Sequence, residues 1–306
     1  MLVSVIIPCY NVTDYITECI KSVYNQSHKE IEVICIDNNS TDNTLNVLKK
    51  LKSIYTDLII DEEKKIGANA ARNKGLAIAK GEWVQFLDAD DLLDTNKIEH
   101  QIDLMKNKSN IGFIAGAHRK QDTKGQQIIL TNLSEDKYIS TFTNKTGNTC
   151  SNFWKKESLL NCGLWNEELF SSQETELMLR LILNNENYII DNEALTIVRE
   201  RVSGQISQGN QQKKWAQYIE IRLNYLNSLK LKNITEYNKN KNTFFDYLMV
   251  SIFELAKYDQ EKAITIYNKS IKNNWKSEYI YGLSRTKVMF IKAFGLKLYL
   301  KLITQS

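Results

Sequence analysis

The chain has 306 residues, 42% hydrophobic and 25% charged, and its 40 basic and 36 acidic side chains leave a formal charge of +4. That balance excludes a disordered or collagen-like chain. A length near two domains of about 150 residues each allows sizeable cores, and so mild a charge does not mark a nucleic-acid binder.

The five cysteines (Cys9, Cys19, Cys35, Cys150 and Cys162) form no CxxC pair. They predict reduced thiols in a cytoplasmic protein rather than a zinc ribbon or a disulfide framework. The opening run Met1-Leu-Val-Ser-Val-Ile-Ile-Pro8 has no basic leader or small-residue cleavage site, and it reads as a strand rather than a signal peptide. No apolar stretch approaches the roughly 18 residues that span a bilayer, so a soluble protein is expected.

Taken in chain order, Val3–Ile7 is a β-branched apolar run, followed by a helical face of Tyr15, Ile16, Cys19, Ile20 and Val23. Ile31–Ile36 is the next run, before a helical recurrence of Leu45, Val47, Leu48 and Leu51. Leu58–Ile60 precedes the Ala-rich helix Ala68–Ala79, and Trp83–Leu87 ends in acidic residues. Buried-type strands alternating with amphipathic helices predict βαβ units in a mainly parallel sheet. Right-handed crossovers place every strand's C-terminal end on one edge, where open α/β sheets bind ligands.

From Ile111 to Leu133 strand-like segments are expected, Asn144–Asn152 reads as a loop or an edge strand, and Glu174–Asn184 is helical. Ala194–Val198 is another strand, and Ser203–Asn210 a flexible connection. Beyond it the stripe Trp215, Tyr218, Ile219, Leu223, Leu226 and Leu229, then Phe244–Tyr258 and Glu261–Ile271, predict helices. There is no repeat of fixed period.

The cluster Asp88-Ala-Asp90-Asp91 follows the fourth strand. On an extended strand end, Asp88 and Asp90 would point to one side and repel unless a hard divalent ion lay between them. The alternative is a polar turn in which Asp91 or Asp94 caps the helix starting near Asn96. Three more strand ends carry unusual residues: Ser4-Val-Ile-Ile-Pro8-Cys-Tyr10-Asn11, Val33-Ile-Cys-Ile-Asp37-Asn-Asn-Ser-Thr41-Asp42, and Gly67-Ala-Asn-Ala-Ala-Arg72-Asn73-Lys74-Gly75.

These four motifs in this order resemble the family 2 glycosyltransferases, densely over the first hundred residues or so and sparsely to about residue 207. The resemblance implies a GT-A fold: a Rossmann-like, mainly parallel sheet flanked by helices. The expected organisation is a catalytic domain at 1–207, with a nucleotide-sugar half at 1–120 and an acceptor half at 121–207, and a helical domain at 208–306. It further implies inverting transfer of a hexosyl or N-acetylhexosaminyl group from a UDP-sugar to a glycan or lipid-linked glycan in bacterial surface polysaccharide synthesis, with Mn2+ or Mg2+.

On this pattern Pro8 and Tyr10 face a uracil ring and Asp37 accepts its N–H. Arg72 steadies Asp37 or approaches the diphosphate, Asp88 lies near the ribose, and Asp90, with Asp88, holds the metal. A buried Tyr10 ring, an Asp37–Asn38 turn and a solvated Arg72 are the structural alternatives.

The family's acidic pair before a Leu-Arg-Leu helix corresponds to Ser172-Gln173-Glu174-Thr175-Glu176-Leu177-Met-Leu-Arg180-Leu181. Glu174 falls on the base position, with Glu176 as the other candidate, and the family prefers Asp there. Acidic residues in a first helical turn also simply favour the helix dipole. Where many relatives have a histidine, this chain has Val198-Arg199-Glu200-Arg201, so Arg199 or Arg201 is expected at the diphosphate.

The stretch 285–303 is basic and apolar with no acidic residue, so it reads either as an interfacial element at the inner membrane face or as a helix packed on its own domain. A nucleotidyltransferase would show a Gly-rich basic loop after the first strand, which Pro8-Cys-Tyr-Asn11 is not; a non-catalytic sugar-nucleotide binder is the other rival.

Overall fold

The computed structural model describes residues 1–131, 133–201, 210–277 and 284–304. The chain divides into two compact units, Met1–Gly204 and Gln205–Ser306. The expected connection at 203–209 and the boundary at 207 lie outside the described residues.

In the first unit the elements run β1 (Val3–Cys9), α1 (Ile16–Tyr24), β2 (Ile31–Asp37), α2 (Thr44–Ile54), β3 (Ile59–Glu62), α3 (Ala68–Ile78), β4 (Trp83–Phe86), β5 (Leu92–Leu93), α4 (Lys97–Met105), β6 (Ile111–Gly116), β7 (His118–Gln121) and β8 (Gln127–Leu130). There follow α5 (Lys137–Phe142), β9 (Phe153–Lys155), α6 (Lys156–Asn161), α7 (Gln173–Leu183), β10 (Asn187–Asp191) and β11 (Thr196–Arg199).

A seven-stranded sheet has the order β10-β6-β9-β4-β1-β2-β3. All its pairings are parallel except those of β9, which runs against both β4 and β6. The Asn144–Asn152 stretch is a loop, and the residues right after it form a strand inside the sheet rather than at its rim. A smaller sheet, β5-β11-β7-β8, lies beyond.

Side chains alternate across the pleat, which is why the central strands are apolar on both faces. Val5, Ile7, Val33 and Cys35 join one core with α1 residues Ile16, Cys19 and Ile20. Ile6, Ile34, Ile36, Val84 and Phe86 join a second core with α3 and α7 residues Ala71, Leu76, Leu177 and Leu181.

Two sequence choices let the site be built. Pro8 lies past the last register pair with β4, Ile6↔Phe86, on the side where its missing N–H breaks no ladder bond. At Gly75 a Cβ would meet Ile6 Cγ2 at 2.4 Å, so glycine is what allows α3 to lie directly on β1.

The second unit is helical: α8 (Gln211–Lys232), α9 (Ile234–Ala256), α10 (Gln260–Ile266) continuing into a π-helical turn Tyr267–Ile271, α11 (Arg285–Phe294) and α12 (Leu296–Thr304). Asn210, Asn233, Asp259 and Ser284 cap four of these helices by accepting backbone N–H groups. The stripe predicted on α8 is buried at Ile219, Leu226 and Leu229, and α8 packs on α9, with Tyr225 edge-on to Phe244. The basic segment 285–303 is not one helix but two, divided at Gly295, whose φ of +85 ends α11. No helix among the described residues is long and apolar enough to cross a membrane.

Candidate active site

The loops after β1, β2, β3 and β4 converge at one edge of the large sheet, and the first three are tied to one another through asparagine side chains. Asn11, itself at φ +50, accepts from Thr41 N–H at 2.8 Å and so binds the β1 loop to the β2 loop. Asn38 donates to the Glu63 and Lys65 carbonyls and accepts from Gly67 N–H, each at 2.8 Å, which fixes the start of α3. Asn73 on α3 holds the Trp165 backbone, accepting its N–H at 3.0 Å and donating to its carbonyl at 2.9 Å.

Tyr10 stands 56% exposed at this edge, not in the core. Asp37 is buried; one carboxylate oxygen accepts from Ser40 N–H at 3.2 Å. The other, Oδ1, has no hydrogen-bond partner among the described residues. A buried acceptor without a partner is costly unless a ligand donor completes it.

Arg72 is neither solvated nor paired with Asp37. It is buried over the Trp165 ring at 4.8 Å, and it donates to Asp88 at 2.8 Å and to Asn69 and Gln173 at 3.0 Å. The α3 helix packs on β1 and β2, and the Arg72 side chain reaches across to the loop after β4, where Asp88 is the carboxylate it meets. The contact with Gln173 also ties the first turn of α7, where Glu174 lies, to Arg72. Glu176 is committed elsewhere: it receives a two-pronged ion pair from Arg180, both contacts at 2.7 Å.

The acidic cluster departs from the extended geometry expected of it. The strand stops at Phe86, and Asp91 N–H donates to the Asp88 carbonyl at 2.9 Å, closing a turn. Asp90 is ion-paired with Arg201 at 2.5 Å. Asp91 is buried and accepts from Arg199 N–H at 2.9 Å. Neither Asp91 nor Asp94 caps α4; its N-cap is Asn96.

Burial, then repulsion from Asp88, pushes the Asp90 carboxyl up, and Arg201 opposes this. Burial, then Asp90 and Asp88, pushes Asp91 well above the usual carboxylate range.

Asp88, Asp91 and Cys150 bring ligand atoms within 4.8 Å of one another. Burial pushes the Cys150 thiol well up, which keeps it protonated and unsuited to a hard cation. The carboxylate oxygens do fit Mg2+ or Mn2+, Asp88 being 41% exposed.

Sequence reading missed Tyr15, Cys150, Trp165 and Gln173. Tyr15 looked like one more apolar helix position, yet the guanidinium groups of Arg199 and Arg201 lie over its ring at 5.4 and 5.0 Å. Gln173 adjoined the family's acidic pair and was the one neighbour with a local signal.

The family profile for glycosyl transferase family 2 matches residues 4–163. The chain belongs to that family, and its first unit has the GT-A fold. It is similar to a putative teichuronic acid biosynthesis glycosyltransferase of Bacillus subtilis, 42% identical over 109 residues, which is 35% of this chain and 43% of that protein. In fold it resembles S. aureus TarS in complex with UDP-GlcNAc, with a TM-score of 0.70, 18% identity, and coverage of 98% of this chain and 90% of that one. It also resembles the Pyrobaculum calidifontis mannosyltransferase PcManGT bound to GDP-Man and Mn2+, with a TM-score of 0.55, 17% identity, and coverage of 99% and 83%. The chain spans less than half the length of the B. subtilis relative.

Proposed function

We propose that this chain transfers a sugar from a UDP-sugar to a hydroxyl of a surface-glycan acceptor, with inversion at the anomeric carbon. The observation that carries the donor assignment is the buried Asp37 Oδ1, without a partner among the described residues, near the exposed Tyr10. A uracil ring offers the N–H that completes this acceptor and a flat face for the tyrosine, whereas cytosine has no ring N–H at that position. That TarS binds UDP-GlcNAc supports the reading.

In this reading Arg72 holds Asp88 toward the ribose, and Arg199 and Arg201 face the diphosphate. Glu174 takes the proton of the acceptor hydroxyl as its oxygen attacks the anomeric carbon. The new glycosidic bond forms as the bond to the diphosphate oxygen breaks from the opposite face, giving UDP and the inverted glycoside. A divalent cation on Asp88 and Asp90 would stabilise the negative charge on the departing diphosphate. The Mn2+ of PcManGT supports that choice of cofactor.

The partner surface of α11 and α12 is read as a membrane face. Met289, Phe294, Leu298, Leu302 and Ile303 are exposed there among lysines, with no acidic side chain between. This suits a lipid-linked acceptor.

Calorimetry of the full chain with UDP and Mn2+ tests the donor site. UDP uptake is expected, weakened about tenfold or more by Asp37→Asn, which presents an amide where an acceptor is needed. Uptake indifferent to that substitution rejects the uracil assignment.

A further inference from the structure

Acidic turns at sheet edges are ordinarily read as cation sites awaiting their ion, but here one carboxylate already has a cation from the chain itself. The Arg201 guanidinium lies 2.5 Å from Asp90, and the two side chains are only 15% and 16% exposed. The pair is braced by neighbouring side chains. Arg201 lies over Tyr15 at 5.0 Å, and Arg199 lies over the same ring at 5.4 Å. Arg199 also pairs with Glu18, donates to the Asp90 carbonyl, and fixes Asp91 through its backbone N–H at 2.9 Å. With Arg72 on Asp88 at 2.8 Å, each carboxylate of the turn already has a donor.

A bare divalent cation arriving at Asp90 must therefore displace a largely buried guanidinium from its ion pair, and such displacement opposes binding. A diphosphate changes this balance. Its oxygens match the planar fork of a guanidinium as well as a carboxylate does, and the Tyr15 ring keeps that fork at the site when it turns away from Asp90.

We propose that Arg201 is an exchangeable counter-ion for Asp90, yielding the carboxylate to a divalent cation only when a diphosphate is present to receive the guanidinium. The inference rests on the donor-site reading above. Its consequence is positive coupling between metal and nucleotide, reciprocal by thermodynamic necessity, with Tyr15 as the positioning residue that holds the exchanging group in place. Such an arrangement keeps the site from loading metal without donor.

The test is calorimetry of the full chain with Mn2+ alone, UDP in chelator, and UDP with Mn2+, on the wild type, Arg201→Gln and Arg201→Lys, each confirmed folded by its thermal melt. Arg201→Gln is expected to bind Mn2+ alone about tenfold more tightly than the wild type, and the factor by which Mn2+ and UDP help each other shrinks by the same amount. Arg201→Lys, which keeps a cation against Asp90, stays near the wild type.

Equal Mn2+ affinity in the wild type and Arg201→Gln overturns the proposal. So does wild-type UDP affinity that is the same in chelator as in Mn2+, since Arg201 would then stand permanently in the metal's place. If the wild type takes up no UDP under any of these conditions, the donor-site reading itself fails, an outcome distinct from the other two.

Discussion

Glu174 and Glu176 lie two positions apart in the first turn of one helix, yet their surroundings differ. Arg180, gripped by the Cys162 and Leu164 carbonyls, takes both oxygens of Glu176 and locks that side chain into the packing of α7. Glu174 follows Gln173, which touches Arg72 and through it the Asp88 turn. Glu174→Gln should therefore lower turnover about a hundredfold or more with UDP affinity unchanged, the loss expected for a general base. Glu176→Gln should leave chemistry nearly intact and lower the melting temperature, because it strips one partner from a largely buried pair. Turnover and melting curves on the two variants read this directly; the reverse pattern would move the base to Glu176. Spacing in the sequence offered both candidates, and only the position of Arg180 in the fold separates them.

At the scale of elements, the strand–helix alternation of the first hundred residues is legible because it is driven by local periodicity: apolar residues every second position for strands, and every third or fourth for helices. The pattern fails where pairing is non-local. β9 has three residues and takes its place between β4 and β6 through antiparallel partners from either side, so nothing in its own sequence announces an interior strand.

The C-terminal pair shows the same limit. The apolar residues of 285–303 divide between a buried set, Val288, Ile291, Leu296 and Leu300, and an exposed set that includes Phe294, Leu298 and Leu302, with Gly295 resetting the phase. The buried set packs within its unit, and the exposed set supplies the surface read as a membrane face. Flotation of the full chain with phosphatidylglycerol vesicles should be lost when Phe294, Leu298 and Leu302 are all replaced by serine, a change that spares the buried set. Equal flotation of both proteins ends the membrane reading.

At the scale of the whole first unit, one buried lysine should make stability depend on pH. Lys97 is 1% exposed, its ammonium has no hydrogen-bond partner among the described residues, and it lies over the Phe153 ring at 5.4 Å. Burial pulls its pKa from the ordinary 10.5 down to about 7, with nearby Asp191 opposing the fall. The sign follows from proton counting. Above about pH 7 the unfolded chain holds a proton that the native chain lacks, so stability rises with pH until the free lysine itself titrates. Below that pH both states are charged and the full desolvation penalty stands. Lys97→Met should raise the melting temperature at neutral pH, with the gain shrinking toward about pH 10. A gain that does not change with pH would show that Lys97 is not the source.

The sequence by itself determined the alternating α/β architecture, the edge where the strand-end motifs gather, and the residue types held there, because those follow from short-range periodicity and from motifs at strand ends. The partnerships were decided by the tertiary structure: Arg72 with Asp88 rather than Asp37, Arg201 on Asp90, Glu176 bound to Arg180, and one oxygen of Asp37 without a partner among the described residues. A charged group pairs with whichever opposite charge the packed backbone brings within about 3 Å of it, and that distance depends on chain segments far apart in sequence.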